Sequence, residues 1–374
     1  MRNYYDDLEQ TPPEKYYYIM LEYFNKIYGY RELLERTGGI EQLAGARRFI
    51  FSEGRAKGTE AIDVRTGSGL NFTALPDRCM DIAWADYKGI NISYISPTGI
   101  VSPVFYDSRN TEWLRGFYAG LMTTCGLTHA GPPSLEGDNL LGLHGRASHI
   151  PAEKVSVEEA YENGEYTIKI QGIIREVKAL CENIILRRKI TAWAGKNKIR
   201  VEDNIENAGF VRQPFMILYH CNLGFPLINE KTAIHIPNEG IVSREEANAA
   251  DIPNFSVIPP PSDGYEEKVF FFKVKPCPDG ICRVLTTNDR DNPELGLQLS
   301  YSPETLDNFA LWKLMAKQNY VVGLEPCNNF IRGQTAERAA GTLKYLEPGE
   351  KKSTFLEFEI MTGEEIGKSP LVNF

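Results

Sequence analysis

Lys154–Val177, KVSVEEAYENGEYTIKIQGIIREV, reads as two strands folded about Asn163-Gly164. An Asn-Gly pair supplies the two positive-φ residues that a tight hairpin turn requires. Its flanks are rich in Val, Ile, Thr and Tyr, which suit a pleated, half-buried surface. The next stretch, Glu182–Gly209, ENIILRRKITAWAGKNKIRVEDNIENAG, repeats the form around Gly195-Lys196. Two long hairpins in succession predict an antiparallel sheet.

The pattern extends in both directions. Upstream, RRFIFSEG, TEAIDVRT, GLNFTALP, CMDIAWAD and GINISYIS follow one another between Arg47 and Ser96, at the spacing of a sandwich or barrel. Ala61, Asp63 and Arg65 alternate with Ile62 and Val64, and Asp86-Tyr87-Lys88-Gly89 reads as a hairpin corner. Downstream come PFMILYHCNLGFPLI, VFFFKVK, ICRVLTTN, LGLQLSYS, YVVGLE and AGTLKYLEPGEKKSTFLEFEI. Neither a fixed-period repeat nor βαβ alternation is present. The fold class is therefore mainly β and antiparallel, with residues 46–374 forming one large domain.

Three segments break the pattern. Residues 1–45 differ from the rest, and the spacing of Tyr17, Met20, Tyr23, Phe24, Ile27 and Tyr28 predicts a helix over Glu14–Glu35 after Pro12-Pro13. Its tyrosine-rich face would pack on the body or on a sister subunit, which leaves a homo-oligomer open. Between residues 100 and 150, Trp113, Phe117 and Leu121 suggest a short helix. A Gly/Pro-rich loop with His129, His144 and His149 follows, of a length more often functional than idle. From Ile228 to about Gly264 an irregular, Pro-rich span reads as a surface excursion.

Composition narrows the function. The 374 residues carry 41 Lys and Arg against 50 Asp and Glu, a net charge of -9, which disfavours nucleic acid or an anionic membrane as partner. Seven scattered cysteines without a CxxC pair argue against a disulfide framework and for a reducing compartment. No signal peptide and no run of about 18 apolar residues is visible, so a cytoplasmic protein is expected.

Phe309–Phe330, FALWKLMAKQNYVVGLEPCNNF, brings Glu325 to the end of the run Tyr320–Leu324. Pro326 restricts the residue before it to extended geometry and is expected to end regular pairing there, leaving Glu325 at a strand mouth. His220 closes Met216–Tyr219 in a comparable way, and His144 sits in Leu141–Arg146. A histidine and a carboxylate facing one another across a pocket are the minimum for general acid–base chemistry. Each residue alone fits a structural role equally well; the signal lies in the three together.

LHGR around His144, YHCNLGFP around His220 and GLEPCNN around Glu325 resemble, in order and context, the aldose 1-epimerase (galactose mutarotase) superfamily. The closing LEPGEKKSTFLEFEI is similar to its last strands. ERTGGIEQLAGARR, IDVRTGSGLNFTALPDRCMDIAWADYKG and the Trp312–Asn328 stretch resemble a divergent, largely uncharacterised branch. The resemblance runs from about Leu33 to Ile360. It implies a large twisted β-sandwich of the galactose mutarotase-like type with an open sugar-binding face, preceded by the N-terminal helical extension over residues 1–45.

The resemblance also implies roles. Glu325 would be the base at the anomeric hydroxyl, His220 the acid at the ring oxygen, and His144 an orienting hydrogen-bond donor. The family's aspartate that grips sugar hydroxyls has no assigned counterpart between His220 and Glu325. Further candidates for substrate contact are Arg78 and Asp81, read alternatively as a salt bridge beside a turn, together with Asn222, Trp312, Lys313 and Asn328. No cofactor or metal is expected, since no HxH or HxxxE cluster occurs. The rival readings are a lyase or isomerase acting on a modified sugar, a non-catalytic sugar binder, and a metal-dependent isomerase.

Overall fold

A computed structural model describes residues 21–162 and 164–373. Three antiparallel sheets enclose a common core. In the first, five strands run in chain order from Gly45–Ile50 to Ile90–Asn91. The eight strands of the second lie in the spatial order Glu153–Glu162, Glu165–Val177, Asn183–Trp193, Lys198–Asn207, Lys351–Thr362, Leu295–Tyr301, Cys282–Thr287 and Ala233–His235. The third carries the site. Its strands are β1 (Thr123–Leu127), β2 (Met216–Gly224), β3 (Asn238–Ser243), β4 (Lys268–Val274), β5 (Asn308–Ala316) and β6 (Asn319–Cys327), in the spatial order β3-β4-β5-β6-β2-β1.

The Lys154–Val177 hairpin forms as expected: Glu162 pairs with Glu165, and Gly164 takes a φ of 85°. Asn163 itself lies outside the described residues. Strands covered on one face alternate in burial, as in Lys198–Asn207, where Ile199, Val201 and Ile205 enter the core. All nine residues of β2 are buried, because the core covers one of its faces and a loop-built wall the other.

Three expectations are corrected. Over its described part, the helix predicted for Glu14–Glu35 gives way to a hairpin pairing Leu21–Tyr23 with Lys26–Tyr28, and only Tyr30–Leu34 is helical. Aromatic and β-branched residues serve a strand as readily as a helix face, and Phe24 and Asn25 turn the chain at positive φ. Leu21, Leu33 and Ile40 of this segment join the same core as the sheets. Residues 1–20, with Tyr17 and Met20, lie outside the described residues.

Second, Pro326 does not end its strand. Pairing reaches Cys327 on both sides, with Asn308 and with Leu218; proline is compatible with extended backbone and removes only one donor. Third, the span after Ile228 is more than a surface excursion, since it supplies β3 and then Arg244 and Glu245 to the cavity wall. No helix among the described residues is long and apolar enough to cross a membrane.

Candidate active site

The pleat of the third sheet sorts side chains by parity. In β2, Ile217, Tyr219, Cys221 and Leu223 enter the core, while Leu218, His220 and Asn222 take the other face. In β6, Val322 and Leu324 enter the core, and Glu325 takes the opposite face. The register that pairs Leu218 with Cys327 and Cys221 with Leu324 sets His220 opposite Glu325. His220 Nε2 stands 3.2 Å from Glu325 Oε1. The contact is off the hydrogen-bond line, since Glu325 Oε1 is buried without a partner; the other ring nitrogen, His220 Nδ1, is also buried without one. Catalytic contacts often tighten only when substrate is bound.

This pair lies in a cavity of about 550 Å³, also lined by Trp113, Phe117, His144, Arg244, Glu267 and Trp312, a size suited to a small molecule. The His220 ring has Phe117 at 5.2 Å and Trp312 at 5.1 Å, centroid to centroid. Burial in these surroundings holds His220 down to about 4, with Asn222 and Glu267 opposing it only in part. Burial also pushes Glu325 up to about 8; Arg244 counters the shift and Glu267 adds to it. Between those limits the pair carries a single proton.

His144 comes from the loop facing the sheet, 6.1 Å from His220 between ring centroids. Its backbone sits at φ 55°, an uncommon region for a side chain of this size. Reciprocal bonds hold it there: His144 N donates to Gly131 O at 2.9 Å, and Gly131 N donates to His144 Nδ1 at 3.4 Å. Accepting at Nδ1 leaves the proton of the neutral ring on Nε2. Burial, chiefly, keeps that ring neutral.

A second carboxylate faces the cavity. Glu267 accepts from Trp312 Nε1 at 2.9 Å and from Arg244 Nη2 at 2.7 Å. Burial would raise it, but these hydrogen bonds bring it below the usual carboxylate range. Arg244 is also paired with Glu245. Glu267 lies between His220 and Glu325 in the chain, where sequence reading assigned no acid. Arg244, Glu245 and Glu267 were missed because they stand in or beside the irregular span, where charged residues look like solvated surface.

Of the predicted site residues, the fold gathers Glu325, His220, His144 and Trp312 in this cavity. It does not gather the other five. Arg78 is fully buried and donates to the carbonyls of Ser148, Val101 and Gly116 at 2.5, 2.6 and 3.0 Å. Asp81 is not its partner; Asp81 accepts from Thr124 and pairs with Arg188 at 2.8 Å. Lys313 follows Trp312 in β5 and so projects from the opposite face, where its Nζ donates to Phe255 O at 3.0 Å and Val257 O at 2.7 Å. Asn328 joins strands, accepting from Ile217 N and donating to Phe215 O. Asn222 shares the His220 face but is fully buried and does not line the cavity.

The loop over Thr128–Asn139 contains a small hairpin, Ser134–Glu136 with Asn139–Leu141. It is fastened to the helix Gln334–Ala339: Gln334 Nε2 donates to Thr128 O at 2.8 Å, and Thr335 Oγ1 to Leu135 O at 2.8 Å.

The fold is a galactose mutarotase-like β-sandwich. A candidate aldose 1-epimerase from Klebsiella pneumoniae subsp. pneumoniae has a similar structure, with a TM-score of 0.82 at 24% identity and 88% of each chain covered. A galactose mutarotase-like protein from Clostridium acetobutylicum reaches 0.61 at 12% identity, with 86% of this chain and 99% of that one covered. The galactose 1-epimerase of Lactobacillus acidophilus NCFM reaches 0.55 at 11%, again over 86% and 99%. Residues 56–360 match the family described as Domain of unknown function (DUF4432), and the chain belongs to that family. No curated protein matches it.

Proposed function

We propose that this chain is an aldose 1-epimerase-like isomerase that exchanges sugar anomers by acid–base opening and closing of the ring. The supporting observation is the His220–Glu325 pair: two groups 3.2 Å apart, driven by burial in opposite directions, that hold one proton between them. Such divergence between neighbouring titratable groups is how a site separates its acid from its base.

At rest the pair's single proton sits on Glu325; the working form is the minor one, reached when that proton passes to His220 and leaves Glu325 a carboxylate. Glu325 removes the proton from the anomeric O1–H while His220 delivers its Nε2 proton to the ring oxygen. The bond from C1 to the ring oxygen breaks as the C1–O1 double bond forms. Rotation about C1–C2 then presents the other carbonyl face, and closure reverses both transfers. Each transfer contributes about 10²–10⁴-fold.

His144, with its proton on Nε2, serves as an orienting donor. Glu267 and Arg244 take sugar hydroxyls, and Trp312 offers an apolar face to the ring. Seven unpaired cysteines fit a reducing compartment such as the cytoplasm.

Freshly dissolved single-anomer aldoses, including deoxy and acidic sugars, are followed by NMR exchange with and without the protein. Equilibration faster than buffer for at least one sugar, lost in Glu325→Gln and in His220→Ala, is the expected result. If no sugar in the panel is accelerated, the anomer-exchange reading fails.

A further inference from the structure

We propose that Asn222 is the positioning residue that keeps the neutral His220 ring protonated at Nδ1, so that Nε2 is the nitrogen that trades a proton at the reaction centre. The Asn222 amide has one available orientation. Its Nδ2 donates to Gly120 O at 3.1 Å and to the main-chain O of His220 at 2.8 Å. Both partners only accept, so turning the amide over would forfeit both bonds.

This orientation leaves Asn222 Oδ1 buried with no donor, and His220 Nδ1 is buried with no partner. Orphaned polar atoms in a dry interior are costly, and native structures rarely keep them. The two orphans belong to residues i and i+2 of one strand and so share a face of the sheet. One is an acceptor, and the other becomes a donor as soon as the ring proton sits on Nδ1. A single hydrogen bond, Nδ1–H to Oδ1, satisfies both. The Asn222 side chain also favours proton uptake by His220 against the effect of burial.

The consequence for His220 is specific. With Nδ1–H held by Asn222, the neutral ring presents a bare Nε2 on the side of Glu325. After giving its Nε2 proton to the ring oxygen, His220 is left in the form that can take it back during closure. Without the Asn222 acceptor, the neutral ring can settle with its proton on Nε2, which blocks the return transfer. Loss of a buried acceptor that fixes a catalytic histidine's tautomer is known to be severe. The catalytic use of this arrangement rests on the anomer-exchange reading; the tautomer does not.

The test reads the ring nitrogens directly. Long-range 15N–1H spectra of the five histidines are recorded near pH 7, with the His220 signals assigned by their loss in His220→Gln. The wild-type protein is expected to show neutral His220 protonated at Nδ1. Asn222→Ala is expected to move the ring to mainly Nε2–H and lower kcat at least about tenfold, with KM within about twofold. Asn222→Asp, which keeps an acceptor oxygen, is expected to retain Nδ1–H.

Nε2–H in the wild type, or unchanged ring shifts in Asn222→Ala, overturns the proposal. The wild-type spectrum decides by itself if the alanine variant does not fold. If the tautomer responds as expected while no sugar anomer is exchanged, the positioning role stands and the proposed reaction falls.

Discussion

Replacing Glu325 with glutamine should stabilise the fold, and the gain should depend on pH. In the native cavity burial holds this carboxyl at about 8 instead of its usual 4.5. A group whose native value is raised costs nothing while it is neutral in both states, that is, below about 4.5. The cost of ionising it in the native cavity accrues as pH rises from there and is complete above about 8. At 1.36 kcal/mol per pH unit the full cost is about 5 kcal/mol, a ceiling because the site relaxes when charged.

Glutamine has nearly the same shape and cannot ionise. Glu325→Gln should therefore match the wild type in stability near pH 4 and exceed it by up to about 5 kcal/mol near pH 9. With about 2 cal/mol/K of unfolding entropy per residue, that gain corresponds to about 6 °C in Tm. Paired thermal or urea melts between pH 4 and pH 9 measure the difference, and other titrating groups largely cancel in the comparison. A Tm difference that stays flat across the range would refute the argument, since the carboxyl would then be no harder to ionise in the native cavity than in the unfolded chain. The same variant should lose activity by about 10²–10⁴-fold, so stability and function would move in opposite directions.

Three further outcomes are expected. The pH dependence of kcat/KM should be bell-shaped with limits near 4 and 8: below the lower limit both groups are protonated and the base is lost, and above the upper limit neither holds the proton the acid must give; a profile flat from pH 4 to 9 would count against the pair. Arg188 bridges Asp81 at 2.8 Å and Asp203 at 2.6 Å with all three side chains buried, so Arg188→Met should leave two unpaired carboxylates and cost about 3–5 kcal/mol in urea titrations, whereas a loss below about 1 kcal/mol would contradict that account. Trp312→Phe keeps an aromatic face but removes the indole bond to Glu267; KM for the exchanged sugar should rise roughly tenfold, the worth of one hydrogen bond to a charged group, and an unchanged KM would remove Glu267 from the binding site.

His220 and Glu325 were readable in the chain as candidate residues because each stands out from its local pattern. His220 and Glu325 each interrupt an apolar strand, and a polar residue in that setting must be either satisfied or functional. Pleat parity also separates Trp312 from Lys313: neighbours in a strand face opposite ways, so only one of them could reach the cavity. Arg78 and Asp81 looked like a pair because they are three residues apart. Their partners come instead from positions remote in the chain: Val101, Gly116 and Ser148 for Arg78, and Arg188 for Asp81.

Hydrophobic period and turn chemistry are written locally, which is why an antiparallel β protein with a supported Glu325 could be inferred from the order of residues alone. The 3.2 Å approach of His220 to Glu325 and the Arg244–Glu267–Trp312 chain depend on strand register and on which distant segments close over the third sheet. The place of Asn222 beneath His220 rather than in the cavity has the same origin. Those relations join residues 23 to 105 positions apart, or turn on one side chain's burial by such segments, and no local periodicity encodes them. The opposed proton affinities of His220 and Glu325 have that cause too: they come from desolvation, which exists only once the chain has closed around the pair.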